Sequence, residues 1–165
     1  MSDNDTASLG KIMLVWAIMI GLAVWFLQEW LNAKNNPNAG VVRSENNELR
    51  LAPGPYHQYY VDGAINQHKV TFLVDTGASN VSVPAAVAKK SGLVGRGKYW
   101  ASTANGNVQV ESTRIAVLTV GGFTLENIEA SINPNMDDDL ILLGMSAIKY
   151  LRLSQEGDTI IFQGP

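Results

Sequence analysis

The chain contains no cysteine, and only two of its 165 residues are histidine, His57 and His68. Without cysteine there are no disulfides, no thiolate nucleophile and no Cys-based zinc site. Two histidines leave little material for a His-rich metal centre. Nor do they assemble a serine-hydrolase set with Ser79 or Ser82, because no nucleophile-elbow pattern surrounds either serine. Positive charge is sparse as well: 12 Lys and Arg, scattered, against 15 Asp and Glu, for a net charge of −3. Nucleic-acid binding needs a basic patch or stripe, so no nucleic-acid partner is expected. The acidic run Asp137-Asp138-Asp139 lacks the spaced ligands and glycine of a calcium loop and reads as a solvated loop. No metal and no cofactor are expected, and no repeat of about 20–50 residues is present.

Hydrophobic residues make up 46% of the chain but are unevenly placed. Residues 1–8 are polar and read as disordered. Ile12 to Leu27 carries no charge, and residues 9–31 extend this run with Lys11 and Glu29 near its ends. That is the length of a membrane-spanning helix if Lys11 snorkels, with Trp16, Trp25 and Trp30 as interfacial anchors. The alternative is a buried helix of the soluble domain, because a helix apolar on all faces is either buried in a core or spans a membrane. A cleaved signal peptide would be shorter and followed by a small-x-small site, which is absent here. Lys11 and the amino terminus on one side and Lys34 and Arg43 on the other barely discriminate orientation. The expectation is a single-pass membrane protein with the short N-terminus inside and the large domain outside the cytoplasm. Residues 32–50 are polar and read as a flexible linker. The folded domain is then expected over residues 51–162, an ordinary domain size. The terminal residues 163–165 receive no role.

Within that domain β signals dominate. Tyr59–Val61 and Ala64-Ile65 flank Asp62-Gly63, a turn or bulge signal. Val70–Val74 and Val81–Val83 read as strands, and Pro84–Lys90 as a short helix with Pro in its first turn. Trp100–Thr103 and Val108–Glu111 pair around Asn105-Gly106, a strong hairpin signal. Ile115–Val120 and Phe123–Leu125 pair around Gly121-Gly122, and Ile128–Ile132 is a further strand. Leu140–Leu143 is an apolar run ending at Gly144, followed by a short helix over Met145–Tyr150. Leu151–Leu153 and Thr159–Phe162 close a last hairpin. Short strands at regular spacing predict a small, mostly antiparallel barrel or sandwich.

Chemistry concentrates at Asp75-Thr76-Gly77-Ala78-Ser79, directly behind the strand Val70–Val74. An aspartate at the exit of a buried strand is costly unless something uses it. Glycine two residues on lets the backbone turn tightly against the carboxylate, and a small alanine leaves space above it. The triplet alone is weak evidence, because Asp-Thr-Gly also occurs in ordinary turns.

Four features occur in one order: Gly63-x-Ile65-Asn66, Phe72 to Ser79, Thr103-Ala104-Asn105-Gly106, and Leu142-Leu143-Gly144-Met145-Ser146. Together they resemble the retropepsin-like aspartic proteases of bacteria, single-domain relatives of the retroviral protease that often carry an N-terminal membrane helix. The resemblance spans about residues 55–153. It implies a mainly β fold, a small closed antiparallel β barrel of the retropepsin (acid protease) type with one or two short helices. It implies an aspartic endopeptidase with Asp75 as the catalytic residue. Thr76, Gly77, Ala78 and Ser79 would support the active-site loop, with the Thr76 hydroxyl crossing a dimer axis. Thr103, Ala104, Asn105 and Gly106 would form a flap over the peptide, and Leu142, Leu143 and Gly144 would run behind the loop. The tyrosine of many pepsin-like flaps is absent from Thr103–Asn107, and Tyr99 or Trp100 is the available substitute. Peptide hydrolysis by this route needs two carboxylates around one water, as in aspartic proteases generally. The chain has one Asp-Thr-Gly, so the second carboxylate requires a homodimer. The rival reading is a catalytically silent, membrane-tethered dimerisation or peptide-binding module of the same fold.

Overall fold

A computed structural model describes residues 3–103, 106–136 and 139–164. The chain divides into two units, Met1–Asn35 and Asn36–Pro165. The first contains one helix, α1 (Asp3–Asn35). From Asp3 onward the polar N-terminus is therefore helical rather than disordered, since a nucleated helix extends by one hydrogen bond per residue. Its segment Lys11–Leu31 has 21 residues. At 1.5 Å per residue that is about 31 Å, the thickness of a bilayer's hydrocarbon core. By length and composition it is a candidate membrane span.

The second unit contains β1 (Glu48–Leu51), β2 (Tyr60–Ile65), β3 (His68–Val74), β4 (Val81–Pro84) and α2 (Ala85–Lys90). β5 (Gly97–Thr103), β6 (Gly106–Val120), β7 (Phe123–Asn133) and β8 (Ile141–Leu143) follow, then α3 (Met145–Ile148), β9 (Arg152–Glu156) and β10 (Thr159–Gln163). The larger sheet runs β2-β3-β8-β4-β7-β6-β5, and β2 also pairs with β6, which closes a barrel. The barrel is mostly antiparallel, as expected, with two parallel pairings, β3–β8 and β4–β7. Parallel neighbours cannot be joined by a hairpin, and here long excursions of chain separate each pair. Closure is uneven: β4 and β8 meet through the single pair Ser82↔Leu142. Inside lie Phe72, Val61, Ile65, Ile115, Leu118 and Ile141, all fully buried.

Asp62-Gly63 is neither turn nor bulge; β2 passes straight through it. A Cβ on Gly63 would lie 1.9 Å from the Thr119 carbonyl oxygen, so the glycine is where β6 crosses β2 closely enough to close the barrel. The turn falls instead at Asn66-Gln67, both with positive φ (45° and 74°), although neither is glycine. β6 is one strand of 15 residues rather than two. It pairs with β5 at one end and β2 at the other while β7 runs along its second edge. β7 is likewise continuous across Asn127 (φ 56°), with its register to β6 unshifted on either side. The Gly121-Gly122 hairpin is as expected, with φ of 50° and 91°.

The reading of residues 32–50 as a flexible linker does not hold from Asn36 onward. Asn38 is buried, donates to the carbonyls of Ala52 (2.9 Å) and Tyr60 (3.0 Å), and accepts from the Ala52 N–H (2.8 Å). The Asp62 carboxylate receives the Gly40 N–H (2.9 Å) and the Asn36 amide (3.2 Å). β1 then joins a second, antiparallel sheet in the order β1-β10-β9. The C-terminal residues also have a place: Gln163 pairs with Glu48 in the ladder, and its side-chain amide donates to the Glu48 carboxylate (2.7 Å).

Candidate active site

Asp75 follows the last residue of β3 and is half-buried. β3 has brought the chain up beside β8 in parallel register, with Val74 opposite Leu143. The next ladder bond, from the Asp75 N–H to the Leu143 carbonyl (3.1 Å), fixes the aspartate's backbone to that neighbour. The chain then turns, with the Ala78 N–H donating to the Asp75 carbonyl (3.2 Å). That turn points the Gly77 N–H at the Asp75 carboxylate, 2.9 Å from Oδ1. Such a bond holds the carboxylate's orientation. Thr76, Gly77 and Ser79 are exposed around it and Ala78 is half-buried.

The loop is held from behind. The Met145 and Ser146 N–H groups donate to the carbonyls of Ala78 (2.8 Å) and Ser79 (2.9 Å). These contacts require Gly144, where a Cβ would sit 2.2 Å from the Asn80 carbonyl oxygen and 2.7 Å from that of Ala78. Leu143 is buried in the core and Leu142 lies half-buried beside it. The structure thus brings 75–79 and 142–144 together. Ser146, part of the motif but assigned no role of its own, adds a buried cross-link: its hydroxyl accepts the Val81 N–H (3.0 Å) and donates to the Glu129 carbonyl (2.7 Å).

The hairpin of β5 and β6 stands after this loop in the chain. Thr103 and Gly106 form its last described pair, and the Thr103 hydroxyl donates to the Gly106 carbonyl (2.7 Å). Ala104 and Asn105, the expected tip, lie outside the described residues. Of the two candidate substitutes for a flap tyrosine, Tyr99 touches the active-site loop: its hydroxyl accepts from the Asn80 amide at 3.4 Å. Trp100 is two-thirds exposed on the same strand. Among the described residues no cluster of three or more His, Asp or Glu is gathered as a metal site. Asp137 and Asp138 lie outside the described residues, and Asp139 sits 3.6 Å from the Lys90 ammonium.

Residues 61–150, more than half of the chain, match the model of the family described as gag-polyprotein putative aspartyl protease. The chain belongs to that aspartyl protease family. The match takes in β2 through α3, and therefore Asp75, the hairpin and the β8 strand behind the loop. An uncharacterised protein from the cobV 5′ region of Sinorhizobium sp is 34% identical over 89 residues, covering 52% of this chain and 38% of that protein. An uncharacterised protein of Rickettsia prowazekii (strain Madrid E) is 28% identical over 112 residues, covering 66% of this chain and 48% of that protein. The chain therefore spans less than half the length of these curated relatives. A solved retropepsin-like aspartic protease from Rickettsia conorii superposes with a TM-score of 0.56 at 24% identity, over 71% of this chain and 90% of that one. The family member described here thus has the retropepsin-like fold.

Proposed function

We propose that this chain is a membrane-anchored aspartic endopeptidase whose active site forms between two copies. The observation that carries this reading is the Asp75 carboxylate at a strand exit, half-buried, met by the Gly77 N–H, on a loop clamped by β8 and α3. Such clamping suits a group that must be held in one orientation relative to a reacting water. One carboxylate is half of the chemistry. Asp75 and the partner's Asp75, related by a twofold axis, would share one proton, because two carboxylates about 3 Å apart do not both ionise. The charged member takes a proton from the bound water, whose oxygen attacks the scissile carbonyl carbon. The neutral member gives its proton to the carbonyl oxygen. Collapse of the tetrahedral diol breaks the C–N bond and returns a proton to the leaving amine. The pair titrates as a unit.

The remaining roles rest on the family resemblance. Thr76 would bond across the dimer axis, and the β5–β6 hairpin, with its tip at 103–106, would cover the peptide. Residues 9–31 would anchor the chain in a bacterial inner membrane with the protease domain periplasmic, and confinement to the bilayer would raise the effective concentration for dimerisation.

The test is cleavage of a diverse peptide pool by the full-length protein in detergent, wild type beside Asp75→Asn, from pH 4 to 8, with the dimer content measured in each sample. Cleavage by the wild type alone is the expected result. Equal cleavage by both removes Asp75 from the chemistry. Binding without cleavage in a dimeric wild-type sample would favour the peptide-binding module. Full activity in a strictly monomeric sample would exclude the shared site.

A further inference from the structure

Beside the active-site loop lies a cavity of about 300 Å³, open to solvent. Its wall joins three regions: Asn80 from the loop, Arg96 and Tyr99 from the start of the hairpin, and Ser112, Arg114 and Glu129 from β6 and β7. Its lining carries two guanidinium groups and one carboxylate, a net charge of +1. Arg114 and Glu129 face each other at 3.4 Å and largely offset one another. Arg96 makes no ion pair among the described residues. Its backbone is fixed by the bond from its N–H to the Ser112 carbonyl (2.8 Å). The Glu111 carboxylate lies against Gly95, the residue before Arg96, and makes no ion pair with Arg96 among the described residues.

The cavity is tied to the catalytic loop by chain length. Asn80 is five residues from Asp75, so their Cα atoms are at most about 18 Å apart. An extended peptide advances about 3.3 Å per residue. A substrate whose scissile bond sits at Asp75 and which runs towards Asn80 would reach it within about five residues of the cut. A guanidinium that has no ion-pair partner and lines an open groove recognises a carboxylate, which it can bind through two parallel hydrogen bonds.

We propose that this groove takes an acidic side chain of the substrate, within about five residues of the scissile bond, and that Arg96 selects it. This rests on the endopeptidase reading and narrows its substrate class to peptides with a nearby Asp or Glu. Tyr99 and Asn80, bonded across the groove's mouth, would position the peptide between hairpin and loop.

The experiment uses the full-length protein in detergent and peptides carrying Glu, Gln or Lys at each of five positions on either side of one cleavable bond. Wild type, Arg96→Gln, Arg96→Glu and Asp75→Asn are compared by kcat/KM. The expected result is about a tenfold preference for Glu over Gln at one position, the scale of one good charged pair. Arg96→Gln should abolish that preference and Arg96→Glu should turn it towards Lys, with the other positions unchanged. Cleavage by the wild type with no Glu preference, or a preference that survives Arg96→Gln, overturns the proposal while leaving the protease reading standing. If the wild type cuts nothing, the protease reading fails, and binding of the same peptides, followed by fluorescence anisotropy, decides the groove. An Arg96-dependent Glu preference in Kd then supports it, and indifference to Glu overturns it.

Discussion

Removing the side chain of Asn38 tests whether the segment after the helix is part of the folded unit. Asn38 is 2% exposed, and its amide satisfies three backbone groups: the Ala52 N–H, the Ala52 carbonyl and the Tyr60 carbonyl. Asn38→Ala leaves all three without that partner. A buried polar group stripped of its partner costs about 1–3 kcal/mol. Carbonyls retain a second lone pair and the site is close to the surface, so a sum of about 2–4 kcal/mol is expected. For a unit of this size the urea dependence is about 2 kcal/mol per molar, so the unfolding midpoint should fall by about 1–2 M. The full-length protein in detergent is unfolded in urea, with hydrogen exchange at the β1 and β2 amides read by mass spectrometry. Asn38→Asp keeps the acceptor for Ala52 but sets a negative charge against two carbonyls. Its folded-state pKa should therefore be raised, so its deficit relative to wild type should be larger at pH 7 than at pH 4. A midpoint shift of less than about 0.3 M for Asn38→Ala would refute the claim that this residue pins the segment to the barrel.

Two further substitutions probe the clamp behind the candidate site. Gly144→Ala places a methyl group 2.2 Å from the Asn80 backbone oxygen, which cannot yield as a flexible side chain would. A loss of about 1–3 kcal/mol is expected, with cleavage lost even where the protein remains folded, measured as urea midpoint and turnover on one sample. Unchanged turnover would separate the loop's position from activity. Ser146→Ala removes one hydroxyl that both accepts from Val81 and donates to Glu129, so about 1–3 kcal/mol should be lost. A midpoint equal to wild type would show that water replaces the hydroxyl there.

The parts of the fold legible in the sequence are those decided by neighbours in the chain. Gly121-Gly122 makes a hairpin because two consecutive positive φ angles are needed there. The apolar run before Asp75 marks a buried strand, and the glycine after it marks the turn that brings the Gly77 N–H onto the carboxylate. Met145–Ile148 becomes a helix where Leu140–Leu143 stops. Decisions made by distant partners were not legible. Gly63 resembles a turn residue until β6 is laid across it. Glu48-Leu49-Arg50-Leu51 is too short to signal a strand. It becomes one because β10 supplies a ladder and the core accepts Leu49 and Leu51, both fully buried.

The same distinction governs the candidate site. Asp75 and Gly77 are two residues apart in sequence and could be named in advance, whereas the bonds of Ser146 and the Asn80–Tyr99 bond exist only because β8 and β5 arrive from far along the chain. Asn38 sharpens the point. Its stretch, rich in asparagine and with few large apolar residues, has the composition of a solvated tether. Three backbone groups of β1's end and β2's start nevertheless need partners, and one asparagine amide supplies donors and an acceptor together. Composition reports what a segment can bury of its own; it is silent on what the rest of the fold leaves unsatisfied. A fragment beginning at Val41, natural on composition alone, would therefore cut away Asn36, Asn38 and Gly40 and leave Asp62, Ala52 and Tyr60 without those partners. One beginning at Asn36 would keep them.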